Sequence, residues 1–282
     1  MPAFLPRYAL LLAVAVPAQA QAQTWRTLDV SRQLRDSSQH HILVRYGIGK
    51  FSLRPTSDPV LYSMQLRYDE ERTTPMHDYD AVERSASLGV SQQTVHWARH
   101  ATSKNAGEMH LGLSRAVPID LEMELGATEA RVDAGGLTLN NLRVQTGAAD
   151  AALDFSVRNR TRMRRLDVQM GAADFKVTNL GNANVSSVRI SGGVGGVDLD
   201  FGDAVPEDVS VDANVALGKL KLRVPNDVGV RVEVQRFLAS FDHPGLYKRG
   251  AAYYSENWDT AAVRVRVRAE TVFGAIDIDR DR

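Results

Sequence analysis

The chain has 282 residues, with 34 Lys and Arg against 34 Asp and Glu, and no cysteine. Zero formal net charge argues against a general nucleic-acid binder, which normally shows a basic excess. The missing thiol excludes disulfides, thiol catalysis and thiolate metal sites, and a 44% apolar fraction is enough to fill an ordinary core.

In chain order, the first feature is "MPAFLPRYALLLAVAVPAQAQAQ". One cation, Arg7, precedes an apolar run from Tyr8 to Val16, and Ala18-Gln19-Ala20 and Ala20-Gln21-Ala22 follow in A-x-A spacing. That is the layout of a secretory signal peptide, with an apolar run too short to span a bilayer comfortably. Residues 1–22 are therefore expected to be cleaved, leaving a periplasmic or extracellular protein. The alternative is an N-terminal membrane anchor. No cysteine follows the run to carry a lipid, and no other stretch reaches 18 apolar residues, so no transmembrane segment is expected in the mature chain.

Residues 23–116 are expected to form an N-terminal β region. "ILVRYGIGKFSL" alternates around Gly47, placing Ile42, Val44, Phe51 and Leu53 on one face. "VLYSMQLRYD" reads as a strand, while "TSDP" and "ERTTPMHDYD" read as turns. "AGEMHLGL" fits the same frame with Gly107 as origin, giving Leu111 and Leu113. No convincing amphipathic helix follows the signal peptide.

Residues 117–282 carry a repeat. "VQTGAAD" and "VQMGAAD" share six of seven letters, with origins at Gly147 and Gly171, and Gly126, Gly193 and Ala216 take equivalent places. Five residues before the origin stand Leu121, Leu142, Leu166, Val188 and Val211, and three before stand Met123, Val144, Val168, Ile190 and Ala213. Four after stand Ala130, Ala151, Phe175, Val197 and Leu220, and six after stand Val132, Leu153, Val177, Leu199 and Leu222. The residues between are mostly polar, so each half-repeat reads as a strand with one buried face. Glycine at the origin reads as a turn between the halves. A period near 22 residues predicts a solenoid, with one rung per repeat stacked at about 4.8 Å. The expected fold is an all-β, right-handed parallel β-helix-like solenoid. The pattern returns around Val272, with Val267, Ala269, Ile276 and Ile278. Between Leu222 and Val263 it is interrupted, and that insert is expected to form a hairpin or long loop.

"VSVDANVALGKLKLRVPNDVGVRVEV" followed by "YYSENWDTAAVRVRVRAETVFGAIDIDR" resembles the C-terminal domain of LiaF-type cell-wall-active antibiotic response proteins. It is similar also to the bacterial domains known as "putative adhesin" or toast-rack. The matching motifs are Val224-Pro225 after a Gly-containing hairpin and the closing Gly274-Ala275-Ile276-Asp277-Ile278 strand. These motifs build the fold, so the resemblance implies a β-solenoid and no chemistry. The chain departs from LiaF-type proteins in having a signal peptide where they have several membrane helices.

Three constellations are candidates for function. Three positions after the origin, successive rungs carry Glu129, Asp150 and Asp174, a carboxylate ladder that could bind Ca²⁺ or serve acid–base chemistry. Turn carboxylates that accept amide hydrogen bonds are the simpler reading. "RNRTRMRR" places Arg158, Arg160, Arg162, Arg164 and Arg165 on the connection between two rungs, where guanidinium groups could meet phosphate or carboxylate of the envelope. A solvated loop paired with nearby acids is the simpler reading. The insert holds Phe241, Tyr247, Tyr253, Tyr254 and Trp258, as a partner surface or a cap over the solenoid end. The seven histidines, including His96 and His100, show no metal-ligand spacing, and no nucleophile elbow, P-loop or dinucleotide fingerprint occurs. No cofactor and no metal are expected. The expected role is non-enzymatic: binding or scaffolding in the cell envelope, in adhesion or envelope-stress response, with an envelope protein or glycan as partner. Oligomerisation is compatible with open solenoid ends. The alternatives are a polysaccharide-cleaving β-helix enzyme using the ladder and a Ca²⁺-stabilised structural protein.

Overall fold

The structure is a computed structural model that describes residues 24–57, 59–92 and 107–281. The expected signal peptide, His96 and His100 lie outside the described residues.

The central rungs are long strands that bend at the origin. They are β2 (His40–Thr56), β7 (Pro118–Asp133), β12 (Val185–Asp200) and β13 (Val209–Pro225). Two rungs between them are split at the repeated phrase, into β8 (Thr138–Thr146) and β9 (Asp150–Asp154), then β10 (Met163–Ala172) and β11 (Asp174–Thr178). All of these stack in parallel, in the register read from the sequence. The column five before the origin runs Ile42, Leu121, Leu142, Leu166, Val188, Val211 and Val267. The column four after runs Phe51, Ala130, Ala151, Phe175, Val197, Leu220 and Ile276. These columns meet inside as one apolar cluster that reaches from Ile42 to Ile278.

The origin is a bend rather than a chain break in most rungs. In several rungs a glycine two residues on makes it, whereas β7 has Thr128 at that place. Gly195, Gly218 and Gly274 lie in register, with φ of +133°, +148° and +134°. A Cβ on Gly218 would sit 1.8 Å from the Gly195 carbonyl oxygen, so this stack needs glycine for both its dihedral and its close approach.

Rung order departs from chain order at both ends. β14 (Gly229–Asp242) is a full rung, where a hairpin or loop was expected. The chain leaves β13, skips one level to lay down β14, and returns as β17 (Arg264–Asp281) between the two. Only β15 (Leu246–Arg249) and β16 (Ala252–Ser255) form a hairpin, laid antiparallel on the first half of β14. The "VPNDVGVRVEV" segment alternates as the other rungs do; its place in the stack was obscured because it is filled out of order. At the other end, β5 (Ser85–Gln92) and β6 (Gly107–Ser114) lie outside β2, and β7 crosses back to β2's inner side.

Two further local readings change. Gly107 pairs with Gly49, so Met109 and Leu111 fill the columns assigned to Leu111 and Leu113. A slip of two residues keeps every side chain on its face, so alternation alone could not detect it. "TTPMHDYD", read as a turn, is strand β4 (Thr73–Asp80), antiparallel to β5. It is a half-exposed edge strand and needs no apolar alternation. Strand β3 (Val60–Asp69) matches the expected "VLYSMQLRYD", and it pairs antiparallel with β6 and with β1 (Trp25–Gln33) to close that end. Among the described residues the helical content is one short 3-10 turn, Leu180–Ala183, and no helix is long and apolar enough to cross a membrane.

Gly218→Ala is expected to cost about 3 kcal/mol, read as a lowered midpoint in urea or guanidinium denaturation.

Candidate functional site

Parallel stacking turns each outward position into a ladder of side chains one strand spacing apart. Glu129, Asp150 and Asp174 do share such a column. The column continues to Gly196 and Lys219 on one side and to Lys50 on the other. The three carboxylates are exposed and already engaged. Arg131 lies 3.5 Å from both Glu129 and Asp150, and Asp174 Oδ1 accepts the Gly196 N–H at 2.8 Å. Among the described residues no group of three or more acids or histidines is placed to hold a metal ion. Gly196 leaves a notch of about 320 Å³ beside the ladder, lined on its charged sides by Asp150, Asp174, Asp198, Lys219 and Lys221.

The arginine cluster divides. Arg162 is tied into the fold: it pairs with Glu207 and donates to Ser186 Oγ and the Asp208 carbonyl at 2.8 Å each. Arg164 and Arg165 open β10, and Arg158 and Arg160 lie on the loop before it. These four are exposed, and among the described residues none has an ion-pair partner. Thr161, Asn159 and Asn184 tie down the loop that carries Arg158 and Arg160. Buried Asn159 accepts the Leu139 N–H at 2.8 Å and donates to the carbonyls of Leu139 and Thr161. Asn184 donates to the Thr161 carbonyl from the next rung.

The aromatic insert is mostly packed. Phe241, His243 and Tyr253 form a ring cluster with centroids 4.6–4.9 Å apart over the last rung. Tyr254 and Trp258 meet edge to face at 5.6 Å. Arg249 covers the Tyr254 ring, while Arg231 donates to its hydroxyl at 3.0 Å. Tyr247 alone of the five candidates is largely exposed.

Three features escaped the sequence reading. Asp133, Asp154 and Asp200 end three of the rungs and accept hydrogen bonds at the turns that follow or adjoin them. Asp133 accepts from the Gly135 N–H and the Ser156 hydroxyl, Asp154 from Thr178 and Asn179, and Asp200 from the Gly202 N–H and Arg223. Asp-x-Gly spacing was the available signal at Asp133 and Asp200, while Asp154 lacks it. Near β1, a groove of about 670 Å³ is lined by Asp29, Ser52, Arg54, Gln65 and His110, among others. There Ser52 Oγ lies 2.6 Å from His110 Nδ1, and Glu108 lies 3.4 Å from His110 Nε2. All three side chains are open to solvent, which leaves the hydroxyl without a water-excluded setting for nucleophilic catalysis. The third is a column four residues before the origin that alternates in sign: Glu122, Arg143, Asp167, Arg189, Asp212, Arg268 and Glu233.

Stacked parallel rungs with ladder surfaces define an all-β, rung-repeated fold. The family model described as the N-terminal domain of toast_rack, DUF2154, matches residues 18–164, and the chain belongs to the toast-rack family. The solved structure of a "putative cell adhesion protein" from Clostridium sporogenes is similar over 92% of this chain and 100% of its own, with a TM-score of 0.52 and 17% identity. That of a "putative adhesin" from Parabacteroides merdae aligns over 92% and 96%, with a TM-score of 0.34 and 8% identity. No curated protein is significantly similar in sequence.

Because the ladder carboxylates already have partners, added Ca²⁺ is expected to leave the melting temperature unchanged, as measured by calorimetry. The Glu129→Ala, Asp150→Ala, Asp174→Ala triple variant is expected to stay within about 1 kcal/mol of the parent, since its ion pairs are exposed.

Proposed function

We propose that this protein is a non-enzymatic, adhesin-like binding or scaffolding protein of the cell envelope. The signal-peptide pattern supports export, to the periplasm or the cell exterior, and the toast-rack family supports a right-handed solenoid akin to the LiaF-type C-terminal domain. The observation that carries the reading is a set of four exposed guanidiniums without ion-pair partners among the described residues, Arg158 and Arg160 on a loop pinned by buried asparagines and Arg164 and Arg165 at the start of β10. Guanidinium groups bind phosphate and carboxylate bidentately, and envelope glycans carry both. Because the asparagine hydrogen bonds already fix the loop backbone, binding need not order it. The ligand class is therefore an anionic envelope glycan or glycolipid headgroup. Polysaccharide cleavage by the carboxylate ladder is the weaker reading, because Arg131 and the Gly196 amide occupy the groups it would need.

Co-sedimentation with purified peptidoglycan, and with lipopolysaccharide or teichoic acid, tests this. Binding should weaken as salt rises, and the Arg158→Ala, Arg160→Ala, Arg164→Ala, Arg165→Ala variant should lose at least ten-fold in affinity with its melting temperature preserved. Equal binding by the parent and the variant would remove the arginine loop from the function.

A further inference from the structure

The bend that turns each rung exposes two adjacent columns to solvent. The origin column runs Gly47, Gly126, Gly147, Gly171, Gly193, Ala216, Val272 and Phe237, and the next runs Ile48, Ala127, Ala148, Ala172, Val194, Leu217, Phe273 and Leu238. Across eight rungs neither column contains a polar side chain. Their bulk rises along the stack. The rungs of β7, β8–β9 and β10–β11 carry only glycine and alanine, which makes a flat strip. The rungs of β12, β13, β17 and β14 build a ridge, in which Val194, Leu217, Val272, Phe273, Phe237 and Leu238 are between 41% and 74% exposed. Phe237 and Phe273 touch edge to face at 6.4 Å. An exposed apolar patch of this extent marks an interaction surface.

We propose that this corner is the interface of a homodimer, in which two copies pack corner to corner in antiparallel orientation about a two-fold axis. The size gradient is self-complementary only in that arrangement. With the axis between the β10–β11 rung and β12, Leu217 of the second copy faces Ala148, its Phe273 faces Ala127, and its Phe237 and Leu238 face Gly47 and Ile48. Bulk meets a shallow surface in both halves, as a two-fold interface requires. Both copies share the same rung spacing, so ridge and strip stay in step. The charges agree on one flank, where Lys219 also pairs with Asp277 of its own chain, while on the other Glu124, held by Arg45, faces Glu270 of the second copy. The same axis brings Lys219 of the second copy to Asp150, and its Gly196 notch to Asp174. Those carboxylates would oppose an anionic lipid surface, which disfavours a membrane as the occupant. Seven steps of about 4.8 Å make the strip about 34 Å long, and six residues across, flanking columns included, make it about 20 Å wide. That is close to the roughly 800 Å² per partner of a stable interface.

Sedimentation of the purified protein should report twice the monomer mass. Leu217→Ser with Phe273→Ser should raise the dissociation constant at least ten-fold. Ala148→Trp should do the same, although it leaves the apolar ridge intact; Ala148→Leu serves if the tryptophan disturbs folding. The chain has no cysteine, so crosslinking is unambiguous. Ala148→Cys with Leu217→Cys should give an intermolecular disulfide on oxidation, since within one copy these two positions of one column are three rungs, about 14 Å, apart. Leu217→Cys alone should not crosslink. A monomer at all concentrations, a crosslink through Leu217→Cys alone, or a dimer unaffected by Ala148→Trp would each overturn the proposal. So would retention on phosphatidylglycerol-containing vesicles that Phe273→Ser abolishes.

Discussion

The hydrogen-bonded spacing between parallel rungs governs this molecule. Each rung is too narrow to bury its own inner face, so it is stable only when its neighbours share the core. Backbone pairing then brings equivalent positions of every rung into one column, about 4.8 Å apart. From that point chemistry is selected by column. Inward columns must be apolar throughout. The tight bend must be glycine where one backbone approaches the next, as at Gly195, Gly218 and Gly274. Outward columns become ladders, whose composition is free except that like charges should not accumulate.

The ladder four residues before the origin shows how the surface answers that constraint. Its signs alternate across seven rungs, from Glu122 to Glu233. Individual pairs such as Arg143–Glu122 at 3.9 Å and Arg268–Glu233 at 3.5 Å are exposed and add little to stability. Their value is in specifying order. If the last rungs followed chain order, Asp212 would lie beside Glu233. With β17 inserted between β13 and β14, Arg268 separates them. The same inversion closes the molecule: the skipped level forces the chain to return into the stack, and the β15–β16 hairpin with Phe241, His243 and Tyr253 covers part of the terminal rung. An uncovered parallel edge would otherwise invite association.

Two kinds of surface remain after these structural demands. One is charged and, among the described residues, without ion-pair partners, at Arg158, Arg160, Arg164 and Arg165. The other is apolar without cover, along the corner from Val194 to Phe237. The acidic ladder, conspicuous in one dimension, belongs to neither, because Arg131 reaches across two of its members. The buried asparagines beneath the arginine loop and the aspartates at the rung ends serve the scaffold, satisfying backbone groups at turns where the ladder stops.

The inward columns and their register from Leu121 to Leu222, and again from Val267 to Ile278, were determined by the sequence alone, because period-two burial and a 22-residue rung write the same apolar letters at fixed offsets. Family resemblance lay in the same letters, at Val224-Pro225 and Gly274-Ala275-Ile276. The tertiary structure alone decided which rung neighbours which. Columns are chemically alike in every rung, so β14 and β17 each fit beside β13 as far as alternation is concerned, and a two-residue slip at Gly107 preserves every face. It also decided which polar groups are spent on each other. Arg131 and Glu129 are two residues apart in sequence, but Arg131 meets Asp150, and Arg162 meets Glu207, only across the stack, because side chains that share a surface here are separated by a whole turn of the solenoid.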